Sequence, residues 1–528
     1  MFTTKKLQDA GFGERIFTER DLAHFLGGTP ARRYEFVNRA LAKGEIVRIR
    51  RGVYILAEKY RTVKFSQFFV ASRTVLSSYV SFESALSYFG WIPEQVTVIA
   101  SAISQGRTRT FNTPLGEFKY VLLPINDFEF LSGVSRQTMN GKPFLMATPL
   151  RALADCVYDR KIEWTGIDFL LNGLRIKAEN LNSLTLDDFK AVWHIFRAKR
   201  VQSFLLHLRK EIISPPPNQI PPTLPKEGGT FRQGGEILMN HNIIHERLKN
   251  YSPATLEEEE DALKEILQEI ILNGLSNAHF FDKAIFHGGT CLRLVHNLQR
   301  FSEGLDFRFK QVDPDFKWQP YQTAIEEICK QYGISPEIKD KSVADRFVPK
   351  MFVNDNSICK LLELSFKHHP DKKFTIKLEI DINPLAGSTT ERKFLDFPIE
   401  FPIEIPDISS QFASQSHALL CRSYVKGRDW YDFLWYIQKK VVPNFQLLSN
   451  ALNQQGVWAG QSIQMTPTWY LETLETRINS IDWEAAKKDV APFLRVQERK
   501  SIAFWSTDFF REQLGKLGDE LKQRVQRI

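Results

Sequence analysis

Cysteine is scarce and scattered. The 528-residue chain holds five, Cys156, Cys291, Cys329, Cys359 and Cys421, and no two form a CxxC pair. An odd, dispersed set argues against a disulfide framework or a zinc site, and it suits a reducing compartment. Long apolar runs are lacking too: none approaches the roughly 18 residues that a membrane span needs. The opening stretch, MFTTKKLQDAG, lacks the apolar core of a secretory signal. These absences lead us to expect a cytoplasmic protein with no membrane partner.

What is there is an ordinary globular composition, 43% hydrophobic and 25% charged, on a chain too long for one core. The net charge of +8 is unevenly placed: residues 1–61 hold 13 Lys/Arg against 7 Asp/Glu. A local basic excess points to a nucleic-acid surface, with a solvated basic face as the plain alternative.

The clearest boundary is SPPPNQIPPTLPKEGGTFRQGGE, residues 214–236, with six prolines, four glycines and no apolar periodicity. It reads as an extended linker. Met239 follows directly, as though two adjacent genes had been run together. The expected order is a DNA-binding domain at 1–65, a second domain at 66–213, the linker at 214–238, a core domain at 239–410 and a helical region at 411–528.

Within the first domain, IFTERDLAHFLG has apolar residues at helical spacing and Gly27-Gly28 breaks it. Thr29-Pro30 then supplies an N-cap and first-turn proline for ARRYEFVNRALAKG. EIVRIRRGVYIL alternates apolar and basic residues as a half-exposed hairpin would. Helix, turn, helix and basic hairpin is the layout of a winged helix-turn-helix. Arg32, Arg33 and Arg39 would face DNA from the second helix, and Arg48, Arg50 and Arg51 from the wing. Further on, SSYVSFESALSYFGWIPEQVTVIAS, with YVSFESAL inside it, reads as a helix feeding a strand, and FLMATPLRALADCVY, with ATPLRALAD inside it, as a helix opened by Thr148-Pro149. Asp155 and Cys156 read as a helix position and a core filler. With these two motifs, residues 1–210 resemble the AbiEi antitoxins of type IV toxin–antitoxin systems. The resemblance implies a repressor of its own operon, bound to an operator, with a second domain that opposes a toxin.

In the second half, Thr255 and Glu258 stand in a capping-box relation before a long amphipathic helix. AIFHGGTCLRLVHNL then reads as a strand ending in Gly288-Gly289-Thr290 and leading into a helix, where backbone N–H groups can approach a phosphate. RFSEGLDF follows with Asp306, and FTIKLEIDINP carries Glu379 and Asp381 at i and i+2, on one face of a strand. Carboxylates so arranged can hold magnesium for nucleotidyl transfer. Solvated acids on a surface strand are the rival account. In FASQSHALLCRSYVKGRDWYDFLWYIQKK, Arg422, Lys426, Arg428, Asp429 and Asp432 cluster ahead of an aromatic helix. They could grip a triphosphate or RNA, or form a surface salt-bridge network.

Gly288-Gly289-Thr290, Arg293, Arg300, Ser302, Asp306 and the run Lys426, Arg428, Asp429, Tyr431, Asp432 together resemble the AbiEii nucleotidyltransferase toxins. The overall expectation is a multidomain α+β chain: a winged helix-turn-helix with an α/β antitoxin domain, then a polymerase-beta-like nucleotidyltransferase domain with a helical C-terminal region. The resemblance implies a phage-defence toxin that transfers NMP from an NTP, with Mg2+, to an acceptor such as tRNA. Gly288, Gly289, Thr290, Arg293, Ser302 and Lys426 would hold the nucleotide. Asp306, Asp381 and Glu379 would bind metal, with Asp306, Asp381 and Asp429 catalytic. A contact between toxin and antitoxin within the chain also follows from the fusion.

Two departures bear on activity. Gly304 stands where the family has the first aspartate of its D-x-D pair, and Gln415 where it commonly has a lysine before ALL-R. Neither can neutralise phosphate or hold a metal as its counterpart would, so transfer should be strongly impaired. The alternative is a DNA-binding regulator whose C-terminal half is a nucleotide-binding pseudoenzyme. A further possibility is transfer to a protein hydroxyl, Ser302 included.

Overall fold

The computed structural model describes residues 4–213, 242–342, 348–362, 364–369, 372–384, 386–463 and 465–525. The expected linker therefore lies outside the described residues. The chain divides into two compact units. One is Met1–Arg247 with Lys330–Ile334 and Cys359–Glu363; the other comprises Leu248–Cys329, Ser335–Ile358 and Leu364–Ile528. No described helix is long and apolar enough to cross a membrane.

The first unit opens with a short strand, β1 (Phe17–Thr18), running into helix α1 (Glu19–Leu26). Thr18 and Asp21 cap each other: the Thr18 N–H donates to Asp21 Oδ2 (2.6 Å) and the Asp21 N–H to Thr18 Oγ1 (3.3 Å). Gly27 and Gly28, at φ 61° and 71°, end that helix. Thr29 then caps α2 (Pro30–Ala42), whose Pro30 is at the first turn. Strands β2 (Ile46–Arg50) and β3 (Val53–Leu56) form the hairpin, turning at Gly52 with φ 76°, a conformation that favours glycine. Phe17, Leu22, Phe36, Val37, Ile46, Tyr54 and Leu56 pack into one core.

A six-stranded sheet follows: β4 (Ser78–Val80), β5 (Val98–Ile103), β6 (Arg109–Thr113), β7 (Gly116–Leu122), β8 (Val134–Met139) and β9 (Lys142–Ala147). Their order is β6-β7-β5-β4-β9-β8. Residues 78–80 form a strand ahead of helix Phe82–Tyr88, where the sequence suggested only a helix feeding a strand. Helix α3 (Pro149–Asp159) carries a wholly buried Arg151 and Asp155. Asp155 Oδ1 accepts from Arg151 Nε (2.9 Å), while Oδ2 accepts from Tyr79 Oη (3.0 Å) and Ser81 Oγ (2.5 Å). Asp155 is thus the hub of a buried network joining YVSFESAL to ATPLRALAD, more than the plain helix position expected of it. Cys156 beside it is a core filler at 2% exposure.

The second unit begins with α4 (Leu256–Asn277), a helix with buried residues along most of its length. Its sheet comprises β10 (Ala284–His287), β11 (Gly304–Phe309), β12 (Glu337–Asp340), β13 (Lys350–Asp355) and β14 (Phe374–Asp381), in the order β10-β11-β14-β13-β12. Only β11 and β14 run parallel among the neighbours of this sheet. Helix α5 (Gly288–His296) springs directly from β10. A two-stranded ribbon, β15 (Thr390–Leu395) and β16 (Phe401–Pro406), leads into α6 (Ile408–Cys421) and α7 (Gly427–Gln438). From Ile408 onward the described chain is helical, around an apolar core that includes Trp430, Phe433, Trp483, Trp505 and Phe510.

Gly274, inside α4, faces residues 324–328. A Cβ there would lie 2.6 Å from Ile328 Cγ2 and 3.1 Å from the Ala324 carbonyl oxygen. Alanine ordinarily stabilises a helix interior by about 1 kcal/mol over glycine. Overpacking of about 1–3 kcal/mol should reverse the sign here. Gly274→Ala should therefore lower the denaturant midpoint; a raised midpoint would show that this crossing has slack.

Candidate functional site

The strand-to-helix turn after β10 sets the geometry. Gly288 adopts φ 80°, and a Cβ placed on it would meet Asp306 Oδ2 at 2.6 Å. Glycine is required here twice over, by the positive φ and by the carboxylate lying against its Cα. Gly289 is constrained by contact alone: a Cβ would meet the Arg300 guanidinium carbon at 3.2 Å. The first turn of α5 thus presents backbone N–H groups, with the Asp306 carboxylate beside Gly288 and the Arg300 guanidinium beside Gly289.

Asp306 is reached from β14 as well. In the parallel register Asp306 pairs with Glu379, Gly304 with Lys377 and Arg308 with Asp381. Burial, then the like charge of Glu379, pushes the Asp306 carboxyl up to about 6, against the pull of Lys426, Lys377 and Arg300. Glu379 is held by two amines, Lys377 Nζ at 2.6 Å and Lys350 Nζ at 3.6 Å. Lys426, just before α7, is pushed down by burial while Asp429 and Asp306 sustain its charge. Asp429 accepts from Arg422 Nη1 (2.7 Å) and stands 3.9 Å from Lys426 Nζ. Gln415 Nε2 donates to the Asp429 carbonyl (3.3 Å).

Several expected residues act elsewhere. Arg293, expected at a triphosphate, is largely buried, ion-paired with Glu265 (2.8 Å) and bonded to the Leu298 and Gln299 carbonyls. The buried Thr290 hydroxyl donates to the Gly304 carbonyl, tying α5 to β11 instead of facing a ligand. Ser302 is held through its backbone, the carbonyl accepting from Gln268 Nε2 (2.9 Å), a bond that does not engage its hydroxyl. Asp381 bonds the Asn383 N–H (2.8 Å) and pairs with Arg308 in the register, two positions along from the Asp306–Glu379 pair. The expected metal trio therefore divides, leaving Asp306 and Glu379 together and Asp381 apart. Among the described residues no three His, Cys, Asp or Glu side chains group as metal ligands. The paired acids fit one magnesium ion with phosphate and water completing its shell, but not a two-ion cradle.

Lys350 and Lys377 are the residues that sequence reasoning missed. Lys377 lies two before Glu379 on one strand and was open to the same alternation argument. Lys350 comes from β13, whose antiparallel register opposite Glu379 left no local signal.

In the first unit the six arginines also divide. Arg32, Arg39, Arg48 and Arg51 are exposed. Arg33 instead folds back to the Gly27 (3.1 Å) and Gly28 carbonyls, and Arg50 Nε donates to the Thr74 carbonyl (2.7 Å).

Residues 270–510 match the family model of the nucleotidyl transferase AbiEii toxin of type IV toxin–antitoxin systems. Residues 10–57 match that of the AbiEi antitoxin, a transcriptional regulator. The chain joins an AbiEi antitoxin region to an AbiEii toxin region. Two Helicobacter pylori crystal structures are similar. JHP933 shares 16% identity at a TM-score of 0.31, covering 51% of this chain and 94% of its own. A candidate nucleotidyltransferase shares 16% at 0.30, covering 49% and 94%. No curated protein matches the chain.

The two aspartates of α7 in the AbiEii region are not equivalent. Asp432 is buried and takes both Arg300 Nε and Nη2 at 2.6 Å. Asp432→Ala should cost about 3–5 kcal/mol, because it strands a buried guanidinium. Asp429→Ala, whose partners Arg422 and Lys426 are only partly buried, should cost less. Urea unfolding of the two variants checks this; equal losses would mean that Asp429 is no more available to a ligand than Asp432.

Proposed function

We propose that the chain is a self-contained type IV toxin–antitoxin pair. Its AbiEi region is a cytoplasmic winged helix-turn-helix that binds operator DNA. Its AbiEii region binds a nucleoside triphosphate and transfers NMP to an RNA acceptor, tRNA in particular, at a strongly reduced rate. The observation that carries the transferase reading is the turn at Gly288, where Asp306 fills the space of the absent Cβ and Lys426 faces that carboxylate.

The triphosphate lies against the N-terminal turn of α5, whose unpaired N–H groups and dipole favour anions. Lys426 and the lysines at Glu379 add positive charge around it. Magnesium arriving with the nucleotide would rest on Asp306 and Glu379 and screen the phosphates. Asp429 holds Arg422 and Lys426 in position ahead of α7. Gly304 supplies no carboxylate opposite Lys377, and loss of one preorganised group costs roughly 10²–10³ in rate. Gln415 brings no charge where a lysine would.

A Cβ at 304 would lie 3.1 Å from the Lys377 carbonyl oxygen, so a side chain there requires the β14 backbone to give by a few tenths of an ångström. With tRNA, Mg2+ and each labelled NTP, the chain should transfer little. Gly304→Asp should raise the rate by about 10², and Gln415→Lys should add to it. If neither substitution does so, the second reading takes over: a DNA-binding regulator with a nucleotide-binding pseudoenzyme half, favoured by the engagement of Glu379 with two lysines.

For the DNA half, the outward arginines should behave as phosphate contacts. On duplex DNA from upstream of the coding region, Arg48→Ala should weaken binding and reduce the salt slope by about 1. Arg33→Ala, which removes only a turn contact, should lower the melting temperature with little change of slope. An unchanged slope for Arg48→Ala would remove the wing from the interface.

A further inference from the structure

We propose that Tyr424 is the platform on which a nucleobase stacks at the AbiEii site, an assignment that rests on the nucleotide-binding reading above. Tyr424 keeps 62% of its surface exposed, in the connection between α6 and α7. Lone exposed aromatics are common and need no function. What distinguishes this one is the way both of its flanks are fixed. Two residues before it, Arg422 donates to Asp429 (2.7 Å), and its carbonyl accepts from Arg477 Nη2. Two residues after it, Lys426 is partly buried and in the field of Asp306. The ring therefore cannot wander far from the carboxylate and amine that would meet the phosphates.

The Arg422 guanidinium carbon lies 5.3 Å from the centre of the Tyr424 ring. A cation on a ring polarises it and holds it in place. An exposed aromatic braced by an arginine, with further cations nearby in the chain, is a way for proteins to stack bases without reading their edges. The ligand chemistry is a nucleobase, and it has two sources: the incoming NTP, or the unpaired end of an RNA acceptor. Stacking alone does not discriminate among bases, so all four NTPs should depend on Tyr424 alike.

The test is equilibrium binding to the full chain by calorimetry, with ATP, CTP, GTP and UTP, with inorganic tripolyphosphate, and with a single-stranded RNA oligonucleotide. Tyr424→Ala should weaken the base-bearing ligand by about 5- to 150-fold and leave tripolyphosphate unchanged. Tyr424→Phe should retain affinity. A loss confined to the NTPs assigns the platform to the substrate base; a loss confined to RNA assigns it to the acceptor. If the alanine variant does not fold, Tyr424→Trp serves instead: its added emission should be quenched by ATP and not by tripolyphosphate. Unchanged binding of both NTP and RNA by Tyr424→Ala overturns the stacking role while leaving nucleotide binding intact. An equal loss of tripolyphosphate binding overturns it in favour of a phosphate effect. Failure of the parent chain to bind any NTP or tripolyphosphate overturns both this inference and the reading beneath it.

Discussion

The AbiEii site depends on the buried pair between Arg300 and Asp432. Arg300 leaves the segment between α5 and β11, bonds the Phe301 carbonyl (3.0 Å), and closes a two-point fork on Asp432 of α7. That fork ties the sheet, which carries Asp306 and Glu379, to the helical region, which carries Lys426 and Asp429. Burial works against the arginine's charge, and Asp432 more than restores it. A buried pair of this kind adds little net stability over an apolar contact. Its bidentate geometry fixes orientation instead, and it places a guanidinium where a side chain at Gly289 would otherwise stand.

Around that anchor the charges are arranged in an order of their own. The acids Asp306 and Glu379 are neighbours across β11 and β14, which alone would be unfavourable. Lys377 and Lys350 compensate at Glu379, and Lys426 faces Asp306. The carboxylate pair is thus already balanced by protein cations. Glu379 is engaged twice over, and a carboxylate at 304, opposite Lys377 in the register, would draw on one of those two lysines.

Much of this was legible in the chain. The glycine turn, the caps at Thr18 and Thr29 and the hairpin at Gly52 are local events, and local chemistry specifies them. The strand carrying Glu379 and Asp381 was legible from its alternation. Which of the two acids meets Asp306 was not, because that depends on the register between strands about seventy residues apart. The same limit applies to Arg293, Arg33 and Arg50. An arginine in a motif has the same sequence signature whether it waits for a phosphate or binds a carbonyl of its own fold. The strand at 78–80 was hidden for a related reason: three residues are too few for a period, and its pairing partners lie further along the chain.

The first unit makes the same point from the opposite direction. Tyr79 and Ser81 of YVSFESAL and Arg151 and Asp155 of ATPLRALAD invite a functional reading, yet Tyr79, Arg151 and Asp155 are wholly buried and bonded to one another. Burial pushes the Tyr79 hydroxyl and the Asp155 carboxyl up, while Arg151 opposes both. A polar network so placed is costly if any member is removed and cannot reach a ligand. Its role is therefore in folding: it fixes α3 against the sheet. The exposed arginines of α2 and the hairpin lie outside this network, with Arg39 3.9 Å from Glu35. Theirs is the surface charge on which the DNA-binding proposal rests.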